Sequence, residues 1–403
     1  MQPSDFTTDS PGRLVPVAGG GALAFVPAPM PSDVPLGTAE VRLLSEADYA
    51  LGRLAGAAGR LVNPYLIGQP LLRREAILSS RIEGTFTTPE QLVLLEAGAP
   101  STGQDPRSLA DTREVLNYVR AMTRGLELLQ EIPLSLRLVR EIHAVLLNGV
   151  RGGRDRPGEF RTEQNYIGSA SAPIADARFV PPPVPEMLEA LRLWERDLHI
   201  REDPLPLLVR LAVAHYQFEA IHPFRDGNGR VGRLLIPLML CAHQRLTDPL
   251  LYMSAYFDRN RQEYVDLLLR VSTHGGWREW VAFFVRGVNE CAQDGLRLAD
   301  GLLALRDRYH AAVRTSRSSG HLASLIDHLF RVPSVTIGQA RELLGVTTAS
   351  ASNNLRKLET LGIVQEVTGR TRAQVFVARE ILGFVGRGLS EPTASEGDVS
   401  VRD

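Results

Sequence analysis

The chain has 403 residues, which is enough for two or three domains of ordinary size. Hydrophobic residues make up 44% of it and charged residues 23%, a balance typical of globular proteins that excludes collagen-like and wholly disordered chains. With 45 basic and 46 acidic residues the formal charge is −1, so the whole chain is not a polycation adapted to nucleic acid or acidic lipid.

Targeting and membrane insertion are not indicated by the sequence. The N-terminal residues lack a basic segment followed by an apolar core, so we expect no signal peptide. The most apolar run, residues 234–242, is shorter than the ~20 residues that a membrane-spanning helix needs. Two cysteines cannot form a disulfide framework, which favours a reducing compartment. We therefore expect a cytoplasmic protein with no membrane partner.

Residues 1–40 are rich in Pro, Gly and Ser, which predicts an extended N-terminal segment. A helical region follows over residues 41–105, with helical spacing from Leu43 onward, and it contains a predicted helix over 71–84 that Gly84 ends. Residues 106–315 form the predicted helical core. Its helical patterns lie at 107–129, 133–147, 186–198, 204–220, 229–245, 258–272 and 277–314.

The region 151–185 interrupts these helices and is dense in Gly, Pro, Ser and Asn. A loop of this length inside a compact helical domain is usually functional or disordered. Its end, residues 177–180, precedes three prolines and predicts a short exposed strand.

The pattern changes again at about residue 321. One helix is followed by two helices joined by a turn at Gly345, and then by two strand-like segments around Gly369. Helix, helix-turn-helix and hairpin is the order of a winged helix, which we assign to residues 321–388. The polar residues 389–403 predict a disordered tail.

The most informative segment runs from His222 to Arg233, between two apolar helical segments. Gly227 and Gly229 allow the backbone to turn sharply and to approach a ligand closely. Successive N–H groups at such a turn, at the start of a helix, form an anion-binding site that the helix dipole supports. Arg230 and Arg233 lie one turn apart on one helix face, where two guanidinium groups can hold phosphate oxygens.

Three further side chains complete the candidate phosphate site. Asp226 is placed to bind Mg²⁺, which commonly takes one or two carboxylates together with phosphate oxygens. Asn228 can donate to a phosphoryl oxygen. His222 is the side chain of this segment that titrates near neutral pH, which makes it the candidate general base for a hydroxyl nucleophile. Together these residues predict a phosphate-binding active site.

The sequence HPFRDGNGRVGR, residues 222–233, resembles the signature of the Fic family, HxFx[D/E]GNGRxxR, at every fixed position. Similarity to family segments covers roughly residues 15–290 and includes LSEADYALGRLAG, NPYLIGQPLLRREAILSSRIEGT, GEFRTEQNYIG, ARFVPPPVP and YFDRNRQEY. The resemblance implies a mainly α fold, a Fic-type helical core with a short β-hairpin flap, to which this chain adds the small C-terminal winged helix.

The resemblance also implies an enzyme, a protein adenylyltransferase. It would transfer AMP from ATP to a Ser, Thr or Tyr hydroxyl of a target protein, or of itself, and release pyrophosphate. His222 would deprotonate the hydroxyl and Asp226 would bind Mg²⁺. The matched nucleotide-binding positions are Gly227, Asn228 and Gly229 at the α-phosphate, Arg230 and Arg233 at the β- and γ-phosphates, and Ile167, Gly168, Asn260 and Tyr264 elsewhere along the nucleotide.

The loop 151–185 corresponds to the flap, whose end at 177–180 would align the target by backbone pairing. A homodimer that shields the active site also fits the family.

A second family motif lies in the predicted helix 71–84. Residues 79–84, SSRIEG, match the inhibitory pattern [S/T]xxxE[G/N]. Ser79 and Glu83 are four residues apart and share a helix face, and Glu83 falls in the last turn, where the helix dipole disfavours a carboxylate. The resemblance supplies the cation: Glu83 would occupy Arg233, exclude the γ-phosphate and leave ATP in an unproductive pose.

Other functions stay open at this point. A Fic variant that transfers phosphate is one alternative, and a variant that removes AMP from a modified protein, with Glu83 orienting a water molecule, is another. A DNA-binding regulator with a nucleotide-sensing core is a further alternative, because residues 321–390 carry eight basic residues against five acidic ones. The side chains able to meet bases or phosphates are Ser350, Ser352, Asn353, Asn354, Arg356 and Lys357 on the second helix, with Arg370 and Arg372 at the wing tip. A winged helix used for packing, dimerisation or substrate docking is an equal alternative.

Overall fold

The computed structural model describes residues 1–17, 21–58, 65–98, 105–152, 156–168, 173–200, 204–314, 316, 318–370 and 373–389. Within these residues the chain is mainly α-helical, as the sequence predicts, with two small antiparallel sheets. None of the described helices has the length and apolar character needed to cross a membrane. The predicted tail lies outside the described residues, apart from Leu389.

The helices of the core follow the hydrophobic pattern, and α4 to α8 begin and end within three residues of their predicted ranges. The bounds are α1 (Thr38–Ala58), α2 (Tyr65–Ile82), α3 (Pro89–Glu96), α4 (Pro106–Leu129), α5 (Leu136–Leu146), α6 (Val184–Leu198), α7 (Leu207–Ile221), α8 (Asn228–Ala242), α9 (Ser254–Arg259), α10 (Arg261–His274), α11 (Trp277–Val313), α12 (Ser319–Arg331), α13 (Ile337–Leu344), α14 (Thr348–Thr360) and α15 (Arg379–Val385). The strands are β1 (Gly12–Pro16), β2 (Leu23–Pro27), β3 (Ser334–Thr336), β4 (Gln365–Glu366) and β5 (Val375–Val377).

Several predicted bounds need correction. Helix α1 begins at Thr38, inside the segment expected to be extended. The predicted helix 258–272 is divided into α9 and α10, because Asn260 leaves the helical conformation with φ −114° and ψ 35°. Helix α2 ends at Ile82, so Glu83 follows the helix instead of lying in its last turn. The pattern does not predict the short helices α3 and α15.

The N-terminal segment contains an antiparallel hairpin of β1 and β2 that lies against the end of the flap loop. Phe25 of β2 donates its N–H to the Val180 carbonyl at 2.9 Å. The expectation of an exposed strand at 177–180 is therefore wrong, because the hairpin covers it and buries Phe179 and Val180. On its other side Phe179 pairs with Ile167 in an isolated β-bridge, so the expected flap hairpin is reduced in the described residues to one bridged pair.

Helix α7 lies within the core and leads directly to the motif. It is buried on nearly all sides, including at polar residues such as Arg210 and His215. Trp194 of α6 and Trp280 of α11 pack on it, and their indole N–H groups donate to the carbonyls of Ala214 and Ala212 at 3.1 and 2.8 Å. These contacts fix the helix that ends at His222.

The C-terminal elements are α12, the strand β3, the helices α13 and α14, and the antiparallel pair β4 and β5, followed by α15. Gly345 joins α13 to α14 in a left-handed conformation, as the sequence predicts. These elements pack on α2 and α3. Val93 of α3 shares an apolar cluster with Val375, and Arg74 of α2 donates to the Arg387 carbonyl at 2.9 Å. The C-terminal elements thus contact the helix that precedes Glu83.

Some side chains that the sequence assigns to DNA contact are engaged within the protein. Asn354 is buried, so it does not reach a base edge as expected. Arg356 pairs with Glu359 at 2.6 Å, and Lys357 donates to a serine hydroxyl at 2.8 Å. Arg372 lies outside the described residues. Asn353, by contrast, is exposed.

Candidate active site

His222 is the residue at which α7 ends. Its backbone has φ 49° and ψ 61°, a left-handed conformation that is uncommon for a residue other than glycine. The side chain is buried, and Nδ1 lies 3.3 Å from the carbonyl oxygen of Glu219. Burial lowers the pKa of His222 to about 4, and the Arg161 guanidinium adds to the shift. The imidazole is therefore neutral at physiological pH, which is the form that can accept a proton.

The turn from His222 to α8 is closed by an asparagine and braced by a histidine. Asn228 accepts the Phe224 N–H at 2.8 Å and donates to the Phe224 carbonyl at 2.9 Å. The His143 ring stacks on the Phe224 ring with centroids 3.7 Å apart, and its Nε2 donates to the Asp226 carbonyl at 3.0 Å. Asn228 is fully buried and uses its amide on this turn, so it offers an anion its backbone N–H instead of the side-chain donor that the sequence suggests.

The first turn of α8 has the features of an anion-binding site. Its N–H groups have no partner within the helix, and they lie at the positive end of the helix dipole. Gly227, just before the helix, has φ 82°, a conformation that favours glycine. Gly229 leaves room for two side chains, because a Cβ there would lie 2.5 Å from Glu83 Oε1 and 2.9 Å from Arg233 Nη1. Gly227 is therefore required for its backbone conformation, and Gly229 is required because a side chain there would clash with Glu83 and Arg233.

Arg230 is buried between two carboxylates. Its Nη1 lies 3.3 Å from Glu114 Oε2, and its Nη2 lies 3.0 Å from Asp226 Oδ1. Glu114, on α4, also accepts the Thr85 hydroxyl at 3.0 Å, so one carboxylate contacts both α8 and the segment after Glu83. Arg230 Nε is buried and has no hydrogen-bond partner among the described residues. An unmet donor thus lies beside the phosphate-binding turn.

Arg233 is enclosed by the end of α2. Its Nε donates to Ser79 Oγ at 2.8 Å, while Nη2 donates to the Ser79 carbonyl at 3.0 Å and to Glu83 Oε1 at 2.5 Å. Only 1% of the Arg233 side chain is exposed, against 16% of Glu83. Ser79 and Glu83, which share a helix face in the sequence analysis, therefore both contact the second arginine of the motif.

The charges of this pair stabilise each other. Burial would raise the pKa of Glu83, but the Arg233 charge, its hydrogen bond and nearby Arg230 hold it below its ordinary value. The pKa of Arg233 is raised, because Glu83 outweighs the burial that alone would lower it. Glu219 of α7 is a nearby carboxyl with a different environment. Burial raises its pKa to about 7, and its Oε1 has no hydrogen-bond partner in the described part of the chain.

Asp226 offers one carboxylate to a metal ion. Its side chain is 26% exposed, and Oδ1 accepts from Arg230. Gly152, with φ 80°, leaves space at Oδ2, which a Cβ at this position would overlap. Within the described ranges no group of three or more His, Cys, Asp or Glu side chains could hold an ion by itself. A Mg²⁺ that takes one carboxylate together with phosphate oxygens needs no such group, so Asp226 fits the ion in the company of a nucleotide.

The four weaker nucleotide-binding predictions fall in two places. Ile167 and Gly168 lie in the flap loop, where Ile167 forms the β-bridge and Gly168 lies close to the backbone of the facing segment. Asn260 and Tyr264 lie at the start of α10. Tyr264 is buried, and its hydroxyl is 2.8 Å from His215 Nε2, so it supports the site from within the core.

Four side chains of the site escape the sequence analysis: Arg161, His143, Glu114 and Glu219. Glu114 had a usable signal, since it is a charged residue on the buried face of an amphipathic helix. Arg161 lies in a segment that resembles the Fic family, but its role depends on a carbonyl contact that no pattern reveals. His143 and Glu219 act through packing and backbone contacts, which leave no local signature.

Comparison with known proteins gives two family matches: "Fic/DOC family N-terminal" over residues 41–127 and "Fic/DOC family" over residues 133–240. The chain is 28% identical over 256 residues to "Protein adenylyltransferase Fic" of Drosophila grimshawi, a match that covers 62% of this chain and 47% of that protein. It is also 28% identical over 222 residues to the Drosophila melanogaster protein of the same name, covering 54% of this chain and 40% of that protein. The chain therefore spans less than half the length of these relatives.

Solved structures show the same fold. A Fic family protein from Desulfovibrio desulfuricans G20 aligns with a TM-score of 0.54 at 20% identity, over 86% of this chain and 97% of that one. A Fic domain containing signaling protein from Bacteroides thetaiotaomicron VPI-5482 aligns with a TM-score of 0.50 at 19% identity, over 64% of this chain and 96% of that one. At these identities the likeness concerns the fold alone.

Proposed function

This chain belongs to the Fic/DOC family through residues 41–127 and 133–240, and on that basis we propose that it is a protein adenylyltransferase. It transfers AMP from ATP to a Ser, Thr or Tyr hydroxyl of a target protein. The observation that carries the proposal is the buried, neutral imidazole of His222, which directly precedes the anion-binding first turn of α8. A base next to an anion site suits the attack of a hydroxyl on a phosphorus atom.

The proposed reaction begins with proton transfer from the target hydroxyl to the imidazole of His222. The hydroxyl oxygen forms a bond to the α-phosphorus, and the bond from that phosphorus to the oxygen bridging the α- and β-phosphates breaks. Pyrophosphate leaves with the electron pair of the broken bond. The N–H groups at the first turn of α8 stabilise the charge that develops on the α-phosphate oxygens.

Arg230 and Arg233 bind the β- and γ-phosphates in this proposal. Both guanidinium groups already hold carboxylates, Glu114 and Asp226 on one and Glu83 on the other. Phosphate oxygens are equivalent partners for a guanidinium fork, so they can replace these carboxylates. The unmet Nε donor of Arg230 supports a further anionic partner at this place.

Asp226 is the proposed protein ligand of Mg²⁺, through the oxygen that Gly152 leaves uncovered. When bound, the ion neutralises negative charge on the phosphate oxygens and on the leaving group. Asp226 itself keeps Arg230 in place through its other oxygen, at 3.0 Å. One carboxylate thus orients both an arginine and the ion.

Autoinhibition is part of the proposal. Glu83 occupies Arg233 at 2.5 Å, at the position where the γ-phosphate would bind, and Ser79 holds the same arginine from the previous turn. ATP then lacks one of its arginine contacts, and its α-phosphate is not set for attack. Release of Glu83 is therefore the step that converts the resting enzyme to the active one.

The proposal is tested by intact-mass analysis of the wild-type protein and of Glu83→Gly after incubation with ATP and Mg²⁺. We expect added AMP on the Glu83→Gly protein and little on the wild type. An added phosphate would indicate a phosphotransferase instead. Absence of any added mass, together with loss of AMP from a previously modified protein, would indicate the reverse reaction.

A further inference from the structure

Arg161 is a buried cation beside the base. It is 5% exposed, and its guanidinium donates to three backbone carbonyls: His222 at 3.0 Å, Glu163 at 3.1 Å and Pro182 at 2.5 Å. The backbone N–H of Arg161 also donates to the Pro223 carbonyl, at 2.9 Å. No carboxylate lies within ion-pair distance of it among the described residues. The charge is therefore compensated by carbonyl dipoles alone.

This arrangement is unusual for a purely structural contact. Burying a guanidinium without a carboxylate partner is unfavourable, and neutral donors such as Gln or Asn would bridge carbonyls with less desolvation. Burial lowers the pKa of Arg161 to about 10, so the side chain still carries its charge at neutral pH. Because burying this charge is unfavourable, we expect Arg161 to have a role at the active site that a neutral hydrogen-bond donor could not perform.

The three carbonyls belong to functionally different segments. Glu163 and Pro182 lie in the flap loop just outside the bridge between Ile167 and Phe179, one before it and one after it. His222 contributes the carbonyl of its left-handed backbone, so the bond from Arg161 fixes the conformation that aims the imidazole. One guanidinium thus connects both stems of the loop to the base.

Two neighbouring side chains strengthen the same connection. Gln164 donates to the Pro181 carbonyl at 2.9 Å, which joins the two stems. Asn165 donates to the Phe224 carbonyl at 3.0 Å, which joins the loop to the turn before α8. Arg161 differs from both because it carries a charge and because it contacts the residue of the base itself.

We propose that Arg161 is a positioning residue for His222, because its guanidinium fixes the backbone of the base to both stems of the target-binding loop. Burial of the imidazole disfavours a proton on it, and the nearby guanidinium acts in the same direction. The inference rests on the proposed function, because it assigns the imidazole a proton to accept. It deepens that function by making the geometry of the base depend on the loop that would receive the target.

The other charged groups around the imidazole do not replace Arg161. Glu83, at the end of α2, favours the protonated imidazole and so acts in the opposite direction. Glu219, on α7, contributes its backbone carbonyl to Nδ1. Asp226 and Arg230, at the start of α8, are paired with each other at 3.0 Å. Arg161 is thus the cation that acts directly against protonation of His222.

The first test is an NMR titration of the histidine side chains in wild type, Arg161→Gln and Arg161→Lys, with the His222 signal assigned from His222→Asn. We expect His222 to titrate near pH 4 in the wild type and at least about one pH unit higher in Arg161→Gln. Arg161→Lys keeps the charge and should leave the titration low. A folded Arg161→Gln protein with an unchanged His222 titration would overturn the proposal.

The second test separates charge from geometry by kinetics in the Glu83→Gly background. Arg161→Lys cannot reach all three carbonyls, so we expect kcat to fall about 10- to 100-fold at every pH while KM for ATP is unchanged. An unchanged kcat overturns the proposal, and this variant also decides the matter if Arg161→Gln does not fold. If Glu83→Gly alone transfers no AMP, the proposed function fails, whereas the titration still tests Arg161.

Discussion

The motif at residues 222–233 has a base end at His222 and a phosphate end at Arg230 and Arg233, and different kinds of partner hold the two ends. At the base end, the described hydrogen bonds to the His222 backbone and to Arg161 involve backbone groups, and the imidazole is neutral. At the phosphate end, Arg230 and Arg233 are bound by the carboxylates of Glu114, Asp226 and Glu83. The base end is thus assembled in advance, while the phosphate end is occupied by groups that imitate the charge of the substrate.

In the proposed mechanism, this difference would allow the inhibition to be released without rebuilding the site. Removing one partner of a buried ion pair is strongly unfavourable, so Glu83 leaves Arg233 readily only when another anion replaces it. A γ-phosphate carries the same sign of charge, but in the proposed mechanism it reaches Arg233 only after Glu83 has been removed or held elsewhere. The structure therefore favours an exchange of anions at one end and no rearrangement at the other.

The largest effect is expected at the base end. His222→Ala in the Glu83→Gly background should lower kcat by roughly 10²–10⁴-fold, because it removes the imidazole proposed to accept the proton. ATP binding, measured by calorimetry, should change little. His328→Asn is the matched control, since this histidine lies on α12 and is not one of the site residues. Retention of full activity in His222→Ala would contradict the assignment of the base.

The next effect is expected at the phosphate end. Glu83→Gly should raise self-modification by about 10- to 100-fold, as expected from removing a charged partner that is worth roughly 1.5–3 kcal/mol. Glu83→Gln keeps a hydrogen-bond acceptor but loses the charge, so its rate of self-modification should lie between those of the wild type and Glu83→Gly. The rates are compared by intact mass over time. Equal rates for wild type and Glu83→Gly would argue against inhibition by this contact.

Stability should depend on pH in a way set by buried histidines. Burial lowers the pKa values of His143, His215 and His222 to about 4, 3 and 4, against 6.5 for an ordinary histidine. Between pH 6.5 and 4 the unfolded chain binds protons that the folded chain does not, so the free energy of unfolding falls as pH falls. Glu219, with its pKa raised to about 7, opposes this, because its contribution falls as pH rises from 4.5 to 7.

The measurement is urea denaturation at a series of pH values between 4 and 7. The three buried histidines act against the carboxyls whose pKa values burial raises, namely Glu219, Glu75 and Asp48, and we expect the histidines to prevail and stability to be lower at the acid end. His215→Phe removes one titrating group from the aromatic cluster and should flatten the curve in this range. A curve that rises toward acid pH in the wild type would show that these histidines are not neutral in the folded state.

Glu114→Gln should sharpen the comparison at the phosphate end. The neutral amide competes less with phosphate for Arg230, so we expect KM for ATP to fall severalfold while kcat changes little. The measurement is a steady-state titration with ATP in the Glu83→Gly background. A higher KM would mean that Glu114 orients Arg230 for the nucleotide instead of competing with it.

The smallest effect is expected where the C-terminal elements contact α2. Arg74→Ala removes contacts to Asp294 and to the Arg387 carbonyl, which hold α2 from the side away from Arg233. Ion pairs of this exposure are worth up to about 1 kcal/mol, so basal self-modification should rise at most about fivefold. Glu90→Ala breaks a more exposed pair with Arg379 and serves as the control. Identical rates for both variants would indicate that the C-terminal elements do not influence α2.

The sequence predicts the helices of the core because each helix is indicated by a pattern within its own segment of the chain. The helices α4 to α8 follow from apolar spacing, and the turn before α8 follows from Gly227 and Gly229. The pairing of Glu83 with Arg233 spans 150 residues, and it was accessible only because the two motifs resemble one family. Without that resemblance, local spacing gives a helix end with a solvated glutamate.

The errors have a common cause, which is contact between distant segments. The segment 177–180 has the composition of an exposed strand, but β2 covers it from 150 residues away along the chain. Asn228 has the chemistry of a phosphate donor, but the turn itself uses its amide. Arg161 looks like any surface arginine until the carbonyls of His222 and Pro182 are brought to it. Composition predicts the chemistry of a side chain but not which partner reaches it first.

The most direct measurement of the central claim is a crystal structure of Glu83→Gly with Mg²⁺ and a non-hydrolysable ATP analogue. The account predicts the γ-phosphate on Arg233, the α-phosphate at the N–H groups that begin α8, and the imidazole of His222 facing the α-phosphorus from the side opposite the leaving group. A nucleotide bound elsewhere, or an imidazole turned toward the core with the analogue in place, would contradict it.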